Sequence, residues 1–287
     1  MRPGFGIGIP LILCFFLIAL CGYLGDWGAW AGIRPGGPLD GLRHPHVLAL
    51  TRAYGPLVEV AEVRGEDIVF RVRGKEIFYH QGRMLSETNI ARAFEFIPIF
   101  YAYGKGPLES LPLYTPRAQW SHDFLDALAG GSEREVRARS RRVLFLNRPV
   151  NVHELCIDAL RRAEEEIWYQ AHHSYEVRSF ITGIRAVYST QWRMMRGINN
   201  RSYHSYGLAL DLVPRSTEGK HVFWLWSAAR MWNWERIPLG FRWRPPEEVI
   251  KAFEDNGFIW GGKWYHFDSM HFEYRPEILL LNSKNPR

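Results

Sequence analysis

The sequence predicts an α+β protein with an antiparallel sheet, and three observations predict it. Residues 57–80 alternate apolar and polar side chains between turn signals, the period-two pattern of half-buried strands. Residues 151–167 and 247–256 carry apolar residues at helical spacing behind N-terminal cap signals. Short apolar runs at 208–213, 258–260 and 270–274 stand between glycine-rich and polar segments, a strand-and-loop texture. A length of 287 residues suits about two domains, and 47 % hydrophobic with 23 % charged residues are ordinary globular values that exclude a disordered or polytopic membrane protein. The net charge of +6 permits anionic partners and chooses none. Aromatics at 15 %, with 12 Trp, suggest an aromatic core, a stacking surface, or both.

Arg2 precedes an uncharged stretch from Pro3 to Gly25 whose apolar heart runs from Ile7 to Leu24. A positive start and an apolar run form an export signal, and Ala29-Trp30-Ala31 offers a cleavage pattern. The run is also about the length a bilayer needs, so residues 1–31 are either a signal peptide or an N-terminal anchor. Cys14 and Cys21 lie within it. Cys156, the remaining thiol, has no internal partner and is expected to be a small buried hydrophobe on a helix.

Residues 32–45 form a Gly/Pro-rich linker. Leu57–Val63, Ile68–Val72 and Ile77–Tyr79 make a small meander with turns at Arg64–Asp67 and Arg73–Glu76. The charge run 131–148 is expected to be a solvated interdomain segment, with a grip on anionic polymer as its alternative. The texture changes at about residue 150, which divides an N-terminal region of unknown role, 32–150, from a second domain, 151–287. In that second domain Asn151 is expected to cap a helix bearing Val152, Leu155, Leu160, Ala163 and Ile167. Val177–Ile184 is expected to be a strand, Ser189 to cap a short helix holding Gln191 and Arg193, and residues 221–233 to be helical. Pro245-Pro246-Glu247-Glu248 opens a helix that Gly257 closes.

The residues that carry chemistry lie between 183 and 274. Ser202-Tyr203-His204-Ser205-Tyr206-Gly207-Leu208-Ala209-Leu210-Asp211 places a histidine before an apolar strand and an aspartate inside it. A carboxylate between Leu210 and Leu212 loses hydration, and a cation is the usual compensation. Gly261-Gly262-Lys263-Trp264, then Asp268-Ser269-Met270-His271-Phe272-Glu273, adds a second histidine and two further acidic residues. Two histidines and one carboxylate leave one position of a tetrahedral zinc open, the pattern of a catalytic site, with Asp268 as a base that is not a ligand. Each residue also has an ordinary alternative: His271 as a satisfied core histidine, Asp268 as a turn residue.

The paired motifs Ser-x-His-x-x-Gly-x-Ala-x-Asp and Gly-Gly-x-Trp…Asp-x-x-His-Phe-Glu resemble the zinc D-alanyl-D-alanine carboxypeptidase family, VanY-like and phage-endolysin-like. The resemblance covers about residues 150–280. It implies a small Hedgehog-like zinc fold, zinc held by His204, Asp211 and His271, and Asp268 as the base. Gly183-Ile184-Arg185 and Gln191 match the family's Gly-x-Arg and downstream Gln; Arg185 would stabilise a developing oxyanion or hold a substrate carboxylate. Ser202 and Gln191 would line the substrate site. Asp-x-x-His is more like the L-alanyl-D-glutamate endopeptidase branch, because the carboxypeptidases usually carry Glu there. The implied activity is metal-dependent cleavage of peptidoglycan stem peptides outside the cytoplasmic membrane, which agrees with the export signal. Two other classes are a zinc-containing module that binds wall peptide or a protein partner without hydrolysis, and a nucleic-acid binder using Arg134 to Arg148, which an exported protein has little occasion to be.

Overall fold

Residues 43–64, 67–104, 119–195 and 200–283 are described by a computed structural model. The apolar segment, its cleavage pattern, most of the linker and the turn at 65–66 lie outside them. Among the described residues no helix is long and apolar enough to cross a membrane.

Helix α1 (Pro45–Tyr54) leads into a four-stranded meander of β1 (Val58–Arg64), β2 (Asp67–Val72), β3 (Lys75–His80) and β4 (Arg83–Leu85). Arg73 and Gly74, both at positive φ, close the two-residue turn between Val72 and Lys75 and match the twist of the strands they join. Short helices α2 (Glu87–Ile90), α3 (Asp123–Leu128) and α4 (Glu133–Arg139) precede a hairpin, β5 (Ser140–Phe145) with β6 (Arg148–His153). Two longer helices follow, α5 (Ile157–His173) and α6 (Tyr175–Gly183). The remaining elements are β7 (Ile184–Tyr188), β8 (Ala209–Pro214), α7 (Trp224–Ala228), α8 (Glu247–Asp255), β9 (Phe258–Trp260), β10 (His271–Tyr274) and α9 (Pro276–Asn282). The second sheet has the order β7-β8-β10-β9, and every strand pair is antiparallel. The architecture is therefore α+β.

The second sheet positions the site because its two faces differ. Leu210 and Leu212 of β8 and Phe272 of β10 point into the core and are fully buried. Val249, Ile250, Ala252 and Phe253 cover them from α8, with the Phe253 ring stacked on Phe272 at 4.0 Å between centroids. Side chains alternate along a strand, so Asp211, His271 and Glu273 face the other way.

Four local expectations are corrected. Asn151 lies in β6, and α5 begins at Ile157 behind a 3-10 turn that the His153 side chain caps by accepting from Leu155 N. Cys156 is fully buried, as expected, and lies in that 3-10 turn directly before α5. Residues 177–183 belong to α6, which starts at a Ser174 Oγ cap, and the strand begins at Ile184; the spacing of buried Val177 and Ile181 is helical, and it outweighs the alternation. Gln191 and Arg193 lie in extended chain rather than a helix, and within 221–233 only Trp224–Ala228 is α-helical. The charge run becomes α4 and the exposed edge of β5.

The division expected at residue 150 runs through the middle of β6, whose hydrogen-bonded partner β5 lies on the other side of it. The described residues all fall within one compact unit, Gly36–Arg287. Val47 and Leu50 of α1 share a continuous core with Leu128, Phe145, Leu210 and Ile278. Polar links cross the same line: Tyr54 OH donates to Glu277 Oε2 at 2.7 Å, and Trp260 N donates to Tyr103 OH at 2.7 Å.

Candidate metal centre

Asp211 and His271 are cross-strand partners on β8 and β10, so the antiparallel register alone brings their side chains together. His204 comes from the 3-10 turn Tyr203–Tyr206 that feeds β8. Ser202 Oγ caps this turn by accepting from His204 N at 3.3 Å. Gly207 ends it at φ 65°, where a Cβ would stand 2.7 Å from Thr190 Oγ1 and 3.0 Å from His153 N. Serine and glycine in the first motif are thus explained by the shape of the turn that delivers His204.

Three ligand atoms converge. His204 Nε2 lies 3.2 Å from Asp211 Oδ1 and 3.2 Å from His271 Nδ1, and His271 Nδ1 lies 2.9 Å from Asp211 Oδ1. Each ring is oriented by its outer nitrogen. His204 Nδ1 donates to the Ser189 carbonyl at 2.8 Å, and His271 Nε2 donates to Glu273 Oε1 at 3.0 Å. With those protons on the outer nitrogens, the inner nitrogens of the neutral rings carry lone pairs, and the Asp211 oxygen adds another. Three acceptors facing one another repel unless a cation sits among them, so the residues fit a metal. Two imidazole nitrogens and one carboxylate oxygen suit zinc, and backing of the ligand histidines by a carbonyl and a carboxylate is what a metal site requires. The same crowding sets the charges without a metal. Burial opposes ionisation of Asp211, but His204 and His271 outweigh it and hold the carboxyl well below the usual range. Burial also opposes protonation of His271, yet Asp211 and Glu273 together raise its pKa well above the ordinary histidine value.

Asp268 sits half-buried beside the trio in the segment 261–270. Its backbone N donates to Gly261 O at 3.1 Å, its carbonyl accepts from His271 N at 3.2 Å, and its Oδ1 accepts from Met270 N at 3.3 Å. Trp224 N to Phe267 O and Ser269 N to Val222 O pin the segment from outside. Burial first, and the negative charge of Asp211 second, push the Asp268 carboxyl up to about 7, against smaller opposing effects of His271 and Arg193. A carboxyl poised there can exchange protons near neutral pH. The glycines of the second motif serve this segment. A Cβ on Gly261 would come 2.7 Å from Asp268 O, and one on Gly262 would overlap the Trp260 ring at 2.1 Å. The Trp260 indole N–H in turn donates to Ser269 O at 2.9 Å.

His204, Asp211, His271 and Asp268 are thus assembled. Ser202 is adjacent as a cap. Gln191 is exposed and approaches only through its backbone, its N donating to His204 O at 2.9 Å. Arg185 is exposed at the β7 irregularity, and among the described residues no hydrogen bond or ion pair joins it to the trio or to Asp268. Arg193, whose charge reaches Asp268, and Glu273, which backs His271, had no role assigned from the sequence. Glu273 was legible: two residues after His271 on a strand, it must share that residue's face.

Fold and site together define a His–Asp–His metal-centre candidate on an antiparallel sheet, backed by a raised carboxyl. Residues 196–274 match the sequence model of a family described as D-alanyl-D-alanine carboxypeptidase, so over these residues the chain is similar to that family. The match spans both motifs and bears out the resemblance that they carry. It begins after Arg185 and Gln191. No solved structure matches the chain.

Proposed function

We propose that this chain is a zinc-dependent peptidase that cleaves stem peptides of peptidoglycan on the extracytoplasmic side of the membrane. The observation that carries the reading is the convergence of the His204, Asp211 and His271 acceptor atoms beside a carboxyl held near 7, all inside the family match. Zinc bound there would supply a Lewis acid for the scissile carbonyl and for the attacking water. The chain supplies the rest. Asp268 takes the proton from that water and returns it to the leaving amine, which a carboxyl with a pKa near neutrality can do in both directions. Arg193 places positive charge beside Asp268, where a stem-peptide carboxylate would be drawn. Asp at position 268 favours the L-alanyl-D-glutamate endopeptidase reading over the D-alanyl-D-alanine one.

The test is mass spectrometry of purified muropeptides incubated with zinc-loaded protein and with an Asp211→Ala variant. The expected outcome is loss of one defined linkage with the wild type, and neither zinc nor cleavage with the variant. A wild type that binds zinc and cuts no linkage would replace this reading with a non-hydrolytic wall-binding module.

A further inference from the structure

The metal-ligand His271 stands at one end of a buried polar chain that ends in α1. Its Nε2 donates to Glu273 Oε1, and Glu273 Oε2 faces Arg275 Nη1 at 3.9 Å. Arg275 Nε donates to Glu277 Oε1, and Glu277 Oε2 accepts from Tyr54 OH at 2.7 Å. Arg275 also donates to the Ile99 carbonyl at 3.0 Å, and its guanidinium lies over the rings of Tyr203 and Tyr101 at 5.0 and 5.8 Å. Tyr203 is the neighbour of His204, so one guanidinium braces the supports of two ligands. Glu273, Arg275, Glu277 and Tyr54 are all 8 % exposed or less. Buried charges persist only when each is paired and hydrogen-bonded. The Arg275 guanidinium thus lies between the carboxyls of Glu273 and Glu277.

We propose that Tyr54, Arg275 and Glu277 are positioning residues of the metal centre: acting through Glu273, they hold His271 with Nδ1 turned toward Asp211. Residues 45–103 then complete the metal centre instead of forming a separate recognition module. The inference rests on reading the trio as a metal site, and its test reads zinc affinity rather than cleavage.

Zinc affinity is measured by chelator competition on the full chain for the wild type, Tyr54→Phe, Glu273→Gln and the double variant, with the melting temperature of each zinc-free protein taken in parallel. Glu273→Gln keeps the shape and is expected to weaken zinc by roughly 10- to 100-fold, as loss of an outer-shell partner does. Tyr54→Phe is expected to weaken zinc by a smaller factor, and the double variant to bind zinc as Glu273→Gln alone does, because the two act in series. Arg275→Lys keeps the charge but not the fork, and is a second probe expected to behave like Tyr54→Phe. Wild-type affinity in both Tyr54→Phe and Arg275→Lys would overturn the inference, as would a double variant whose loss is the product of the single losses, the mark of a merely structural role. A wild type that binds no zinc would overturn the metal-site reading along with it.

Discussion

Asp268→Asn separates chemistry from stability at one atom. The amide oxygen can still accept from Met270 N, so the local backbone keeps its hydrogen bond. The variant lacks the ionisation that burial and Asp211 oppose, an opposition that raises the carboxyl from 3.8 to about 7. The sign follows from linkage. Below about pH 4 both folded and unfolded chains hold the proton, and the carboxyl costs nothing. Between about 4 and 7 the unfolded chain has released it and the folded chain has not, so stability falls as pH rises; above 7 the loss is complete. A shift of about 3 units at 1.36 kcal/mol each gives a ceiling of about 4 kcal/mol, lowered by whatever water reaches the half-buried group. Urea unfolding in excess chelator is therefore expected to give a variant that matches the wild type at pH 4 and is more stable at pH 8. In the zinc-loaded protein the same change is expected to spare zinc content and slow stem-peptide hydrolysis by about two to four orders of magnitude. A variant no more stable than wild type at pH 8 would refute the strained carboxyl. One that hydrolyses like wild type would move the base elsewhere.

Gly261→Ala drives a methyl against the Asp268 carbonyl at 2.7 Å and the Trp264 ring at 3.0 Å; an overpacking cost of about 1–3 kcal/mol and reduced turnover are expected, checked by urea unfolding and by kcat on stem peptide. A fragment beginning at Asn151 strips β6 of its partner β5 and removes α1 from the shared core; no cooperative unfolding transition is expected by circular dichroism, and a folded, zinc-binding fragment would contradict the single unit. Burial lowers His46 to about 3 and His153 to about 4, so below about pH 6.5 the unfolded chain binds protons that the folded chain refuses and stability falls with falling pH. In the Asp268→Asn background with excess chelator, urea unfolding from about pH 6 to 5, below the range in which the raised His271 opposes the slope, is expected to show that fall, and a flat profile would exclude neutral buried histidines.

The parts of the site that were legible in the sequence are those where chemistry and local geometry coincide. Asp211 between two leucines announces a charge on a strand with one buried face, and Asp268 and His271 lie close enough in sequence for one segment to place both. Arg185 was assigned through the resemblance of Gly183-Ile184-Arg185 to the family's Gly-x-Arg, and local sequence does not report that it lies exposed at an irregularity of β7 against β8. The strand assigned to Val177–Ile184 failed because a short apolar run satisfies either period, and the Ser174 cap decides it. The boundary at 150 followed composition, but composition does not report that β5 and β6 pair across it. Nor does it show that Tyr54 reaches Glu277, a contact 223 residues apart.

Cys156 has a consequence for how the molecule can be watched. Its thiol donates to the His153 carbonyl at 3.3 Å and the Gly207 carbonyl at 3.6 Å, between β6 and the turn that carries His204. Burial pushes the thiol up to about 12, so almost no thiolate exists to meet an oxidant or an alkylating reagent while that junction is shut. A chain acting outside the cytoplasm would thus carry a sulfur that ambient oxidants reach only when the junction parts. With Cys14 and Cys21 replaced by serine, the labelling rate of Cys156 becomes a clock for that opening, read at the place where the ligand turn is fastened to the rest of the fold.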